Sequence, residues 1–183
     1  MRIKTFMASV AVLVLTVAIG CSSNKANTPS VKDQITKALD NAGFKDLKVA
    51  VNDNKQLVTV TGDVKTQEDK DRAEDLAKAT AAGYVVSDEI GVRPEGNESS
   101  ARKIDTNVDT GIVKDFKAVI IANRLEKQHI RYDAKNGVLT VKGMVDNADL
   151  RAQVEKLAAT VPNVQQVVNE LDVKGAKKKP SGM

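Results

Sequence analysis

The chain has no tryptophan, a single cysteine and a single histidine, and aromatic residues make up 3% of its 183 positions. Each scarcity removes a class of function. With Cys21 alone no disulfide can close within the chain, so any fold must stand on packing. With His129 alone, neither a histidine-rich metal centre nor a histidine-led catalytic set can be assembled, and a surface or packing role is the expectation for it. Gly62 and Gly143 stand singly, without the clustering of a phosphate-binding loop, and the Asp/Asn turns at 52–54 and 133–136 lack the ligand spacing of a calcium loop. No catalytic residue, metal ligand or cofactor is therefore expected. Hydrophobic residues still make up 42% and charged residues 28%, an ordinary globular balance, so aliphatic side chains must build the cores.

The first twenty residues differ from the rest. Arg2 and Lys4 form a basic start, and Met7–Ile19 is an uncharged run of apolar and small residues, too short to span a bilayer. That is the make-up of a signal peptide over 1–20. The run ends at Ala18-Ile19-Gly20-Cys21, followed by Ser22. The pattern resembles a bacterial lipobox, which implies that Cys21 is lipidated and becomes the mature N-terminus. Several acyl chains on one residue would anchor the protein stably, at about 0.8 kcal/mol per buried CH₂. With Ser22, and not Asp, after the cysteine, the same resemblance implies the outer membrane, facing the periplasm. Loss of Arg2 and Lys4 lowers the formal net charge from +4 to +2, too small to argue for nucleic acid as a partner.

What the chain has instead is an internal repeat. Laid on itself so that Leu57 meets Val138, the stretch 57–93 aligns on 138–174 without a gap and with ten identities, among them Thr59/Thr140, Val60/Val141, Gly62/Gly143, Val64/Val145, Glu89/Glu170 and Val92/Val173. Two domains of one fold are expected. After a polar tether at 21–30, Ser30 can cap a helix from Val31 whose apolar stripe is Val31, Ile35, Ala38, Leu39 and Ala42, ended by Gly43. Leu47, Val49 and Val51 alternate with polar residues, and a turn leads to the strand Leu57–Val64. Thr66 caps a second helix to about Ala82, and a last strand runs from about Tyr84 to Val92. The segment 94–109 reads as an interdomain linker in which Ile104 and Val108 could add a short strand or a docking contact. The order then recurs: helix from about Thr110 to Glu126, strand Gln128–Asp133, an Asn136-Gly137 hairpin turn, strand Val138–Val145, helix Ala148–Val161 and strand Val164–Val173, with a basic tail at 175–183.

The fold class is thus α+β, two tandem α-β-β-α-β units at 31–93 and 110–174, each a small three-stranded mixed sheet packed on two helices. The doubled strand Leu57-Val-Thr-Val-Thr-Gly-Asp-Val64 and the endings Val86-Ser-Asp-Glu-Ile-Gly-Val92 and Val167-Val-Asn-Glu-Leu-Asp-Val173 resemble BON domains. The resemblance implies envelope maintenance or osmotic stress tolerance, phospholipid interaction and no catalytic activity.

One element departs from the one-faced plan. In the helix opening the second unit, Ile112, Val113, Phe116, Val119 and Ile120 share the arc that should face the sheet. Counted at about 100° per residue, Ile121 and Leu125 fall on the opposite side with Lys114, Lys117 and Arg124 around them. The first helix carries Asp33, Thr36 and Asp40 there instead. The expectation is a face that touches anionic phospholipid headgroups through Lys114, Lys117 and Arg124, with Ile121 and Leu125 entering the interfacial layer. The competing reading is that the first domain or the linker covers Ile121 and Leu125. For the molecule as a whole, the alternative to a membrane-binding protein is a periplasmic protein-interaction or chaperone-like module with envelope proteins as partners. For Glu89 and Glu170, which recur in both last strands, the expectation is a salt bridge.

Overall fold

The structure, a computed structural model, describes residues 29–175; the leader 1–20, Cys21, the tether up to 28 and the tail residues 176–183 lie outside the described residues. The chain runs α1 (Val31–Asn41), β1 (Lys48–Asn52), β2 (Leu57–Val64), α2 (Gln67–Thr80) and β3 (Val85–Val92), then α3 (Glu98–Ala122), β4 (His129–Lys135), β5 (Val138–Val145), α4 (Ala148–Ala159) and β6 (Gln166–Val173). This is the expected α-β-β-α-β order twice over. The sheets are β1-β2-β3 and β4-β5-β6, each with an antiparallel hairpin and a parallel outer pair.

Local chemistry places these elements. Ser30 accepts the Asp33 N–H at the start of α1, Thr66 accepts that of Asp69 before α2, and Asn147 accepts that of Leu150 before α4. Asn136 and Gly137 both take positive φ, 48° and 81°, as the two-residue turn between β4 and β5 requires. Alternation along β2 turns Val58 and Val60 toward the helices, where they pack with Ile35, Leu39, Ala73, Ala77 and Ile90. The second core repeats the plan with Leu139 and Val141 against Ile112, Phe116, Ile120, Val154 and Ala158. Phe116 meets the Tyr132 ring edge-on at 5.0 Å. Burying one such side chain fully contributes about 1.5–3 kcal/mol, and about ten per unit carry the fold.

The segment expected to be a linker is helical. α3 begins at Glu98, well ahead of the expected start at Thr110, and runs for 25 residues to Ala122. Apolar periodicity could not show this, because polar contacts hold its first half. Buried Arg93 pairs with Asp105 and with Asp63, Arg102 pairs with Asp63 at 2.9 Å, and Asp109 accepts the N–H groups of Asn136 and Gly137 at 2.9 Å each. The helix is thereby clamped to β2 and β3 of the first unit and to the hairpin of the second.

The same units meet through the sheet faces turned away from the helices. Leu57, Val138 and Val168 form a separate apolar contact, with Ser87 also buried. Leu57 and Val138 are repeat equivalents, as are Ser87 and Val168. The polar contacts follow suit: Lys55 Nζ donates to Glu170 O at 3.1 Å, and Asn136 Nδ2 donates to Glu89 O at 2.8 Å. Lys55 and Asn136 occupy equivalent positions of the repeat, and so do Glu89 and Glu170, so each contact is the other with the units exchanged. The interface is isologous within one chain, with an approximate twofold relating the units. Glu89 and Glu170 do form salt bridges: Glu170 with Lys142 on the neighbouring strand at 3.1 Å, and Glu89 with Lys135 of the other unit, also at 3.1 Å.

Candidate membrane-facing helix

α3 is built from residues with little intrinsic preference for a helix: Ile104, Thr106, Val108, Thr110, Ile112 and Val113 are β-branched and Gly111 sits mid-helix. Tertiary contacts decide the outcome. In the second half Ile112, Phe116 and Ile120 are buried in the core of the second unit; in the first half the Arg93 and Asp109 clamps do the equivalent. Thr106 and Thr110 turn their hydroxyls back to the carbonyls of Arg102 and Thr106, one helical turn earlier.

The opposite arc is the candidate site. At about 100° per residue, Ser99, Lys103, Thr106, Asn107, Thr110, Lys114, Lys117 and Ile121 fall within about 100° of each other on the side away from Ile112. All eight are exposed, and no carboxylate lies among them. None of Lys103, Lys114 and Lys117 forms an ion pair among the described residues. At about 1.5 Å per residue, the stripe from Ser99 to Ile121 reaches roughly 33 Å.

Of the five expected contact residues, Lys114, Lys117 and Ile121 share this face, and Ile121 is 50% exposed. Leu125 does not: it is 5% exposed and belongs to the core of the second unit. The helix ends at Ala122, so extending the helical count to residue 125 gives the wrong direction. Arg124 takes φ 56°, its N–H donates to Ile121 O, and the Leu125 N–H donates to Ile120 O, both at 3.0 Å, folding Leu125 back under the last turn. Arg124 is exposed at this terminus but off the helical stripe. The repeat contains the correction, since Arg124 and Leu125 stand where the first unit has Gly43, at φ 95°, and core-packed Phe44. Lys103 is the cation that sequence reasoning missed. As part of a linker over 94–109 it has no face to belong to, although counting back about three helical turns from Lys114 puts it on the stripe.

A further buried ion pair lies away from α3. Lys70 on α2 and Asp88 on β3 approach to 3.5 Å with side chains 10% and 8% exposed. Burial pushes the Asp88 carboxyl above its ordinary value, opposed by Lys70 and by the Ile90 N–H. The second unit replaces this pair with Arg151 and Asn169, and Asn169 Oδ1 accepts the Leu171 N–H at 3.1 Å just as Asp88 Oδ1 accepts that of Ile90. The buried pair is thus a local structural solution of one unit. His129, the first residue of β4, is exposed on its outer face.

Two segments, residues 26–94 and 108–175, match the family model of the BON domain. The osmotically-inducible protein Y of Escherichia coli (strain K12) is 27% identical over 137 residues, covering 74% of this chain and 67% of that protein. Among solved structures, the C-terminal domain of CdsD, a structural protein of the type III secretion system of Chlamydia trachomatis, gives a TM-score of 0.32 at 14% identity, covering 76% of this chain and 95% of that one. A second structure of CdsD gives 0.34 at 12% identity, covering 79% and 92%.

Proposed function

The chain belongs to the BON domain family, and from that premise we propose that it is a bacterial envelope protein that supports osmotic or envelope stress tolerance by binding a membrane surface, without catalysing a reaction. The observation that carries this reading is the carboxylate-free outer stripe of α3, where Lys103, Lys114 and Lys117 stand among hydroxyl and amide side chains with Ile121 at one end. Lysines on a rigid rod present point charges to anionic phospholipid headgroups, and Ser99 and Asn107 offer hydrogen-bond donors to phosphate oxygens. Ile121 supplies the apolar contact.

Three cations and one isoleucine bind a surface weakly, and no aromatic side chain lies on the stripe to anchor it at the interface. Stable attachment therefore needs a second signal, which in this reading is acylation of Cys21, with the outer membrane as the destination and the periplasm as the compartment of both domains. The anchor supplies residence on the membrane, and α3 supplies orientation and a preference for anionic lipid. The rod shape matters here. Both units hang from one helix, so contact along α3 fixes the whole pair against the surface.

The test is co-sedimentation of the chain from Ser22 onward, lacking the anchor, with vesicles of neutral lipid and with vesicles containing anionic phospholipid. Binding is expected only with anionic lipid, falling as salt shortens the screening length, and lost when Lys103, Lys114 and Lys117 are all changed to Glu. Equal sedimentation of that variant, or none of the wild type at low salt, would overturn the reading.

A further inference from the structure

Gln166 and Val85 hold the same place in the repeat, and there the approximate twofold between the units is broken. β3 directs Val85 and the residues of its parity toward β2, as the bonds from Val85 N to Gln56 O and from Arg93 N to Val64 O show, both at 2.7 Å. Val86 and Asp88 therefore aim their backbone groups off the open edge. The carboxamide of Gln166 meets them: its Nε2 donates to Val86 O at 2.7 Å, and its Oε1 accepts the Asp88 N–H at 3.0 Å. One side-chain amide makes on β3 the pair of bonds that a neighbouring strand would make.

The equivalent groups on β6 are Val167 O and Asn169 N. Lys174 N donates to Val145 O at 2.9 Å, which sets the parity of β6 and turns residues 167, 169 and 171 outward. Leu171 N is already taken by Asn169 Oδ1. In the place of Gln166 the first unit offers Val85, apolar and 56% exposed, so Val167 O and Asn169 N have no protein partner among the described residues. They open onto a groove of about 350 Å³ between the units, walled by Lys55, Leu57 and Val85 on one side and by Arg151 of α4 on the other.

We propose that this groove receives an extended polypeptide segment, which pairs its backbone with Val167 O and Asn169 N and adds a fourth strand to the second sheet. The chemistry selects the occupant. An acceptor and a donor two residues apart on one edge call for a ligand with both a donor and an acceptor at strand spacing. A phosphate or carboxylate has no donor for Val167 O, and an acyl chain has neither. A peptide backbone has both, and the same edge of the other unit already carries an amide in that position. Leu57 and Val85 give one apolar wall for a side chain of the added strand, as alternation would require. This site is separate from the outer stripe of α3, and either can fail without the other.

The test uses the full chain, labelled with nitrogen-15, and an acetylated, amidated heptapeptide of alternating threonine and valine flanked by lysines. The peptide is expected to shift the amide resonances of Val167, Asn169 and Val85 and to slow hydrogen exchange at the Asn169 N–H. The same peptide N-methylated at alternate amides should not bind, a comparison that needs no protein variant. Val85→Gln should place on β6 the amide that Gln166 places on β3. It should protect the Asn169 N–H without peptide and weaken peptide binding by about fivefold or more, the worth of one net hydrogen bond. No binding at millimolar peptide, equal binding of the N-methylated peptide, shifts confined to α3, or unchanged affinity in Val85→Gln would each overturn the proposal.

Discussion

Gly62 and Gly143 end the same strand motif in the two units, yet adding one methyl group to each should have different consequences. Both lie at positive φ, 139° and 122°, where an L-residue is strained by about 1–2 kcal/mol. At Gly62 a Cβ would come within 2.7 Å of Leu47 Cδ2, the far end of a side chain that can rotate, with the Asp46 carbonyl at 3.1 Å. At Gly143 it would lie 1.9 Å from the carbonyl oxygen of His129, backbone at the start of β4. Relief there requires moving one strand of the β4/β5 hairpin, which is paired from His129↔Met144 to Lys135↔Val138. Gly62→Ala should therefore cost roughly 2 kcal/mol, mostly from φ, and Gly143→Ala roughly 4 kcal/mol or more. At about 0.05–0.15 kcal/mol per residue, a unit of this size has only roughly 3–10 kcal/mol in total, so Gly143→Ala should bring the second unit close to unfolding. Amide hydrogen exchange resolves the units separately, read at Val60 and Val141, which pair with their neighbouring strands in the two sheets. Collapse of protection at Val141 in Gly143→Ala, against a modest loss at Val60 in Gly62→Ala, is expected. Equal losses in the two variants would refute the steric reasoning.

Asp88 carries a pH dependence whose sign follows from its burial. Its folded-state pKa lies above the ordinary 3.8, so its contribution to stability is complete below that value and is lost as pH rises through the raised one; urea midpoints should show this slope, and Asp88→Asn should remove it. Ser87 Oγ is buried with no hydrogen-bond partner among the described residues, so Ser87→Ala should stabilise the pair of units by about 1 kcal/mol in the same assay, and a loss of stability would mean the hydroxyl is bonded.

The elements legible in the sequence are those specified by apolar period and turn chemistry. The β2 and β5 strands, the Asn136-Gly137 turn and the caps at Ser30 and Thr66 follow from local rules, and all lie where those rules put them. The misreadings share one cause: each concerns residues whose conformation is set by contacts that local rules do not register. Residues 98–109 are polar, β-branched and nearly without an apolar stripe, so nothing local distinguishes them from a tether. Their helix depends on Arg93 meeting Asp105 and on Asp109 meeting the turn at Asn136 and Gly137, partners that exist only once both units have folded. Leu125 is misplaced for a related reason, since an arginine at a left-handed helix end gives no local signal where a glycine would. The repeat is the stronger guide to the helix end. Carried back from the strands to the helices, the same offset sets Phe116 on Ile35, Ile120 on Leu39 and Leu125 on Phe44, each pair buried or packed at the same place in its own core. Where the offset joins unlike residues, it marks what each unit does alone: a buried Lys70–Asp88 pair in one, and, between Val85 and Gln166, one covered sheet edge and one open.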